Sequence, residues 1–196
     1  MKTIYLIRHG KASLDGSDRE RGLTDEGIEQ AKQITEILKE LEPKIEKVYS
    51  SPLKRAILTI EPIAKYLEIE IKIIENLKEK ITGDVSGKDL NEQKQKMWDD
   101  FDAKLPSGES SNQATSRALS ALELIKNDLD EGSCAAVQAH GTLIALILHH
   151  FKPSFGFDEW KNMTMPDIYK ITFDSEDATV EHVGCKSIET FKISEK

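Results

Sequence analysis

The 196-residue chain is poor in the features that mark several protein classes. It has only two cysteines, Cys134 and Cys185. Neither belongs to a CxxC pair or lies beside a histidine at zinc-ligand spacing, and both read as reduced thiols. The longest apolar run, Leu143 to Leu148, falls far below the ~20 residues of a membrane span. The stretch from Met1 to Arg8 lacks the apolar h-region and cleavage site of a signal peptide, so a cytoplasmic location is expected. Lys+Arg total 27 against Asp+Glu 35, a net charge of −8, with no basic stripe. Neither nucleic acid nor a membrane surface is therefore an expected partner. The sequence contains no HExxH, and no metal or cofactor is expected.

What is present is the composition of one globular body. With 38% apolar residues, a chain of this length can bury roughly 70% of its unfolded surface, enough for a single domain over residues 1–196 without covalent staples. Ile4 to Ile7 read as a buried strand over residues 2–8. Thr24 is placed as an N-cap. Behind it Ile28, Ala31, Ile34, Leu38 and Leu41 recur at helical spacing up to Pro43. Val48 and Tyr49 mark a second strand, and Ser51-Pro52 supplies an N-cap and N1 proline for a helix to about Leu67, irregular at Pro62. Ile69, Ile71 and Ile73 alternate as a third strand.

The excursion at about residues 80–107 is polar and includes a weakly amphipathic helix around Trp98 and Phe101, whose rings either cap a pocket or pack that helix. Ser110 or Ser111 caps the next helix, which carries Ala114, Ala118, Ala121, Leu122 and Ile125 and ends before Gly132. Ser133 to Ala139 reads as a strand and Gly141 to Phe151 as a helix with His149 and His150 in its last turn. Residues 168–173 and 178–183 read as two closing strands. The alternation predicts a three-layer α/β fold, a mostly parallel sheet with helices on both faces.

The reactive residue types gather at strand ends, the edge where ligands sit in open parallel sheets. Arg8-His9-Gly10 closes the first strand: Arg offers a permanent cation with a fork of donors, His a nucleophilic nitrogen near neutral pH, and Gly room for a large oxyanion. Ser50-Ser51-Pro52-Leu53-Lys54-Arg55 straddles a strand end and a helix N-terminus, where free N–H groups favour anions. Ala139-His140-Gly141 repeats the arrangement. If these strands are parallel neighbours, Arg8, His9, Arg55 and His140 converge on one phosphoryl group. Lys54 and Arg117 read as solvated charges, and His182 as structural.

These blocks, with Leu23-Thr24-Asp25-Glu26-Gly27, Thr59, Leu77-Lys78-Glu79, Ser107-Gly108-Glu109-Ser110, Phe155-Gly156-Phe157 to Trp160, and Pro166-Asp167, resemble the histidine phosphatase superfamily, the phosphoglycerate mutase-like enzymes. The resemblance covers nearly the whole chain in order. It implies a phosphoglycerate mutase-like fold and a phosphatase acting on a small phosphorylated metabolite, without metal. It further implies His9 as nucleophile, Glu79 as proton donor, His140 as a catalytic partner, and Arg8, Arg55 and Gly10 as the phosphate site. Two further readings stand beside it: a cofactor-dependent phosphoglycerate mutase, for which the chain looks short, and a phosphate-binding or interaction module without turnover.

The segment from His9 to Leu23 is shorter than in the mutases and looks like that of small phosphohistidine phosphatases, which lack the acid. Asp15 falls where many relatives carry a phosphate-contacting Asn, and would repel phosphate unless turned away. Ser13, Asp15, Glu109 and Ser110 are possible substrate contacts, with Glu109 the fallback acid. The excursion is expected to shape the substrate pocket.

Overall fold

The computed structural model describes residues 1–87, 89–174 and 177–184. In chain order the elements are β1 (Lys2–Arg8), α1 (Asp25–Glu40), β2 (Ile45–Ser50), α2 (Lys54–Leu67), β3 (Ile71–Ile73), a 3-10 turn (Glu75–Leu77), α3 (Leu90–Asp99), α4 (Ser111–Asp128), β4 (Cys134–Ala139), α5 (Gly141–Phe151), α6 (Phe157–Asn162), β5 (Asp167–Phe173) and β6 (Ala178–His182). The strands form one sheet in the order β3-β2-β4-β1-β5-β6. The first four neighbours run parallel, and β5 and β6 join antiparallel. The expected α/β architecture is the observed one.

Alternation along β1 builds the two layers over the sheet. Ile4 and Leu6 face a cluster with Ala135, Val137, α4 residues such as Ala118 and Leu122, and α5 residues such as Leu143 and Ile147. Tyr5 and Ile7 face the opposite cluster, with Ile34 and Leu38 of α1 and Ile60 and Ile63 of α2. A strand buried on both faces must be apolar at nearly every position, which is why residues 4–7 form an unbroken run.

Several local expectations are modified. Leu53, not Ser51, precedes the first turn of α2, which begins at Lys54 without a side-chain cap and continues through Pro62. Ser51 Oγ instead accepts the Leu53 N–H at 3.2 Å and meets His140. Ile28 stays 46% exposed although it has the helical spacing of the buried face. Trp98 and Phe101 pack on each other, on His149 and, through Trp98, on Trp160. They therefore pack the excursion's helix. α6 had no signal in the sequence pattern. Cys134 is buried, and burial pushes its thiol up to about 12; Cys185 lies outside the described residues. Among the described residues no helix is long and apolar enough to cross a membrane.

Candidate active site

The parallel register sets Arg8 opposite Ala139 and Ser50 opposite Gln138, so β1, β2 and β4 end at one level. His9, Ser51 and His140 follow these ends side by side. A cavity of about 650 Å³ opens there, with Arg8, His9, Arg55 and Glu79 in its wall beside Lys11, Ala12, Asp18, Arg21, Lys80, Ile81, Thr82, Gly83, Gly141 and Met165. In a chain of net charge −8, this wall holds five cationic side chains against two carboxylates, a local field that attracts anions. Among the described residues no group of three or more His, Cys, Asp or Glu is placed to hold a metal ion.

His9 is buried, and its Nδ1–H donates to the Gly10 carbonyl at 2.7 Å. That bond selects the tautomer whose Nε2 carries a lone pair. Burial, followed by the charges of Arg55, Arg8 and Arg21 against the favourable Gly10 bond, lowers the pKa to about 4. The ring is therefore neutral at pH 7, and Nε2 keeps its lone pair. Gly10 serves this geometry rather than a phosphate. Its N–H donates to Thr59 Oγ1 at 3.1 Å, and a Cβ there would meet the Gly27 carbonyl at 2.9 Å, so the room it leaves is occupied by α1.

His140 is fully buried, edge-on to His9 with ring centroids 5.1 Å apart. Its Nε2 lies 2.7 Å from Ser51 Oγ. A Ser51 hydroxyl that donates to Nε2 leaves the His140 proton on Nδ1. This Nδ1 is buried without a partner among the described residues. Burial first, then the nearby His9 and arginines, lowers the His140 pKa well below the usual range, so it donates as a neutral imidazole.

Arg8 is anchored by Nη1, which donates to the carbonyls of Met163 at 2.8 Å and Thr164 at 3.0 Å, while its buried Nε has no partner. The guanidinium lies against Gly141, where a Cβ would come 2.9 Å from Nε. Arg55, in the first turn of α2, donates from Nη1 to the Asp18 carbonyl at 2.7 Å and pairs through Nη2 with the Asp18 carboxylate at 3.2 Å. Glu79 lies across the α5 N-terminus. Its Oε1 accepts from Lys80 N at 2.8 Å and Leu143 N at 3.0 Å, and its Oε2 from Thr142 N at 3.1 Å. A carboxylate there meets free N–H groups and the positive end of the dipole.

Arg8, His9, Arg55, His140 and Glu79 are thus brought together. The four possible substrate contacts do not line the cavity. Asp15 is exposed and hydrogen-bonded to Ser13 at 2.9 Å, turned away as the anion argument requires. Ser110 caps α4 in a capping box with Gln113. Glu109 is committed to Arg117 and to Ile81 N. Burial works against its charge, but these hydrogen bonds hold its carboxyl below the usual range.

Two cations of the site, Arg21 and Lys80, carry no signal in the sequence, and the reading of Arg117 as solvated is corrected. Arg21 reaches the cavity because residues 11–24 fold back on themselves, Ser13 N donating to Gly22 O and Thr24 N to Lys11 O. Lys80 is buried, with Nζ 3.0 Å from Met97 Sδ. Arg117 is part-buried and hydrogen-bonded to the protein rather than solvated, its side chain 15% exposed. A mixed charge run gives no signal for any of them. Among the described residues, the excursion contributes Lys80 to Gly83 to the wall and nothing from α3.

Residues 4–186 match the family model of the histidine phosphatase superfamily (branch 1). The chain is 30% identical over 196 residues to phosphoglycerate mutase-like protein 4 of Arabidopsis thaliana, covering 92% of this chain and 84% of that one. It is 28% identical over 200 residues to the 2,3-bisphosphoglycerate-dependent phosphoglycerate mutase of Brucella anthropi, covering 92% and 97%. Among solved structures, Bacillus stearothermophilus YhfR superposes with a TM-score of 0.74 at 25% identity, over 93% of this chain and 96% of that one.

Proposed function

The chain belongs to the histidine phosphatase superfamily, and we propose that it is a phosphatase that hydrolyses a small phosphorylated metabolite through a phosphohistidine on His9. The observation that carries this reading is the 2.7 Å bond from His9 Nδ1 to the Gly10 carbonyl, which leaves the Nε2 lone pair available in the cavity wall. Nε2 attacks phosphorus in line. The N–P bond forms as the P–O bond to the leaving group breaks, and Glu79 gives the departing oxygen a proton. Glu79, then a carboxylate, takes a proton from water. The water oxygen bonds to phosphorus, the N–P bond breaks, and inorganic phosphate leaves a neutral His9. Arg8, Arg55 and the His140 Nδ1–H hold the non-bridging oxygens and balance their charge in the transition state.

Chain length does not separate hydrolysis from the mutase reaction, because the alignment spans 97% of the Brucella mutase.

The test is pre-steady-state hydrolysis of para-nitrophenyl phosphate. The expected result is a nitrophenol burst with an acid-labile phosphoenzyme, abolished in His9→Ala and retained in His149→Ala. Phosphate binding without turnover on a broad ester panel would make the protein a binding module. Interconversion of 2- and 3-phosphoglycerate faster than hydrolysis would make it a mutase. Either result overturns the proposal.

A further inference from the structure

Arg117, on α4, spends no N–H on solvent. Its Nε donates to Glu109 Oε2 at 3.0 Å and its Nη2 to Glu109 Oε1 at 2.5 Å. Nη1 donates to the carbonyls of Asn76 at 2.7 Å and Lys78 at 2.8 Å, and Nη2 also reaches the Glu79 carbonyl at 3.2 Å. Both side chains are part-buried, 15% and 14% exposed. The three carbonyls belong to the irregular stretch that follows β3, which has no sheet ladder to satisfy it. On the other side of Glu79, Glu109 accepts the Ile81 N–H at 2.9 Å and its own N–H donates to the Ile81 carbonyl at 2.9 Å. The main chain that carries Glu79 is thus clamped on one side by Arg117 of α4 and on the other by Glu109 of the loop that leads into α4, while its carboxylate is held from α5 by Thr142 N and Leu143 N.

We propose that Arg117, oriented by Glu109, is a positioning residue that fixes Glu79 for proton transfer to the leaving group. This rests on Glu79 being the acid of the hydrolysis above. Proton transfer demands hydrogen-bond distance to the departing oxygen, and small displacements of a catalytic group are costly. A planar fork is required, because one rigid group must meet a carboxylate and three carbonyls together. A lysine keeps the charge but cannot make that set of bonds. Glu109 keeps the fork from rotating.

The experiment compares Arg117→Lys, Glu79→Gln and the double variant on an alkyl ester, glycerol 3-phosphate, and on an activated aryl ester, para-nitrophenyl phosphate, with a thermal melt of each protein. Arg117→Lys is expected to lower kcat on the alkyl ester about 10- to 100-fold and on the aryl ester several-fold less, since a good leaving group needs little protonation. In the Glu79→Gln background the same substitution lowers alkyl kcat by less than about twofold, the non-additivity of two residues acting through one step. Glu109→Gln, which keeps size and loses charge, shifts the alkyl-to-aryl ratio in the same direction and serves if Arg117→Lys does not fold. Equal losses on both esters, or losses that multiply in the Glu79→Gln background, would reduce Arg117 to a fold clamp and overturn the inference. If Glu79→Gln itself spares the alkyl ester, the acid has been misassigned, and the role of Arg117 falls with it by a separate and recognisable result.

Discussion

The rings of His9 and His140 stand 5.1 Å apart at an interplanar angle of 63°, each the first residue beyond one of two adjacent parallel strands paired Arg8 to Ala139. Distant parts of the chain meet because both strands stop at the same level of the sheet. His9 presents Nε2, and His140 presents the unpartnered Nδ1. In the proposed reaction one ring forms the bond to phosphorus and the other donates a proton to a neighbouring oxygen, two roles for one side-chain type set by which nitrogen is tied down.

His9 titration follows from its burial. With the pKa lowered to about 4 against about 6.5 unfolded, the folded ring binds fewer protons than the unfolded one between these values. Stability from this group is complete above about pH 6.5 and falls as the pH drops toward 4, by about 3 kcal/mol in all. Nitrogen-edited imidazole spectra are expected to show a neutral His9 protonated at Nδ1 down to about pH 5, and urea melts a matching loss of stability. A His9 midpoint near 6.5 would contradict both.

Gly141→Ala adds a methyl group 2.9 Å from Arg8 Nε. The far end of Arg8 can shift, but its Nη1 is anchored on the Met163 and Thr164 carbonyls, so the guanidinium turns away from the α5 N-terminus. Affinity for inorganic phosphate, read by calorimetry, should weaken about tenfold, the loss of one charge-assisted hydrogen bond. The melting temperature should move by only a few degrees. Unchanged affinity would remove Arg8 from the phosphate site.

Much of this arrangement is legible in the sequence where the signals are local. β1 shows as an apolar run because both its faces are covered, α1 through the Thr24 cap, whose side chain accepts the Gly27 N–H, and α5 through the glycine after His140. The convergence of Arg8, His9, Arg55 and His140 needs only strand order in addition. Residues that depend on tertiary contacts stay hidden. Ser51 has the sequence signature of a helix cap, but its hydroxyl orients His140. Glu109 and Glu79 look alike as acids until Arg117 is seen to hold one by its side chain and the other by its carbonyl. A part-buried arginine in a charged helix carries no periodic mark.

Trp98 separates packing from lid function. Its ring contacts Phe101, His149 and Trp160, and among the described residues none of α3 lines the cavity. Trp98→Ala should cost about 2–4 kcal/mol in urea denaturation, toward the lower part of the range for large-to-small changes because the ring is only partly buried. KM for para-nitrophenyl phosphate should stay within about twofold. A raised KM with unchanged stability would restore the lid.

Asp18 is the anion that Arg55 and Arg21 hold in common. Its Oδ1 lies 3.2 Å from Arg55 Nη2 and also bonds Arg21 Nη2, although the side chain is 63% exposed. A substrate phosphate arriving beside His9 competes with this carboxylate for the same guanidinium groups. Asp18→Asn keeps the main-chain carbonyl that accepts from Arg55 Nη1 at 2.7 Å, so the loop retains one anchor while its negative charge disappears. Exposed ion pairs are individually weak, so inorganic phosphate should bind only about two- to fivefold more tightly in the variant. The gain should shrink as salt is raised, because screening weakens the exposed carboxylate's competition more than the buried contacts to phosphate. Weaker binding in Asp18→Asn would mean instead that the carboxylate holds the two arginines in position for phosphate.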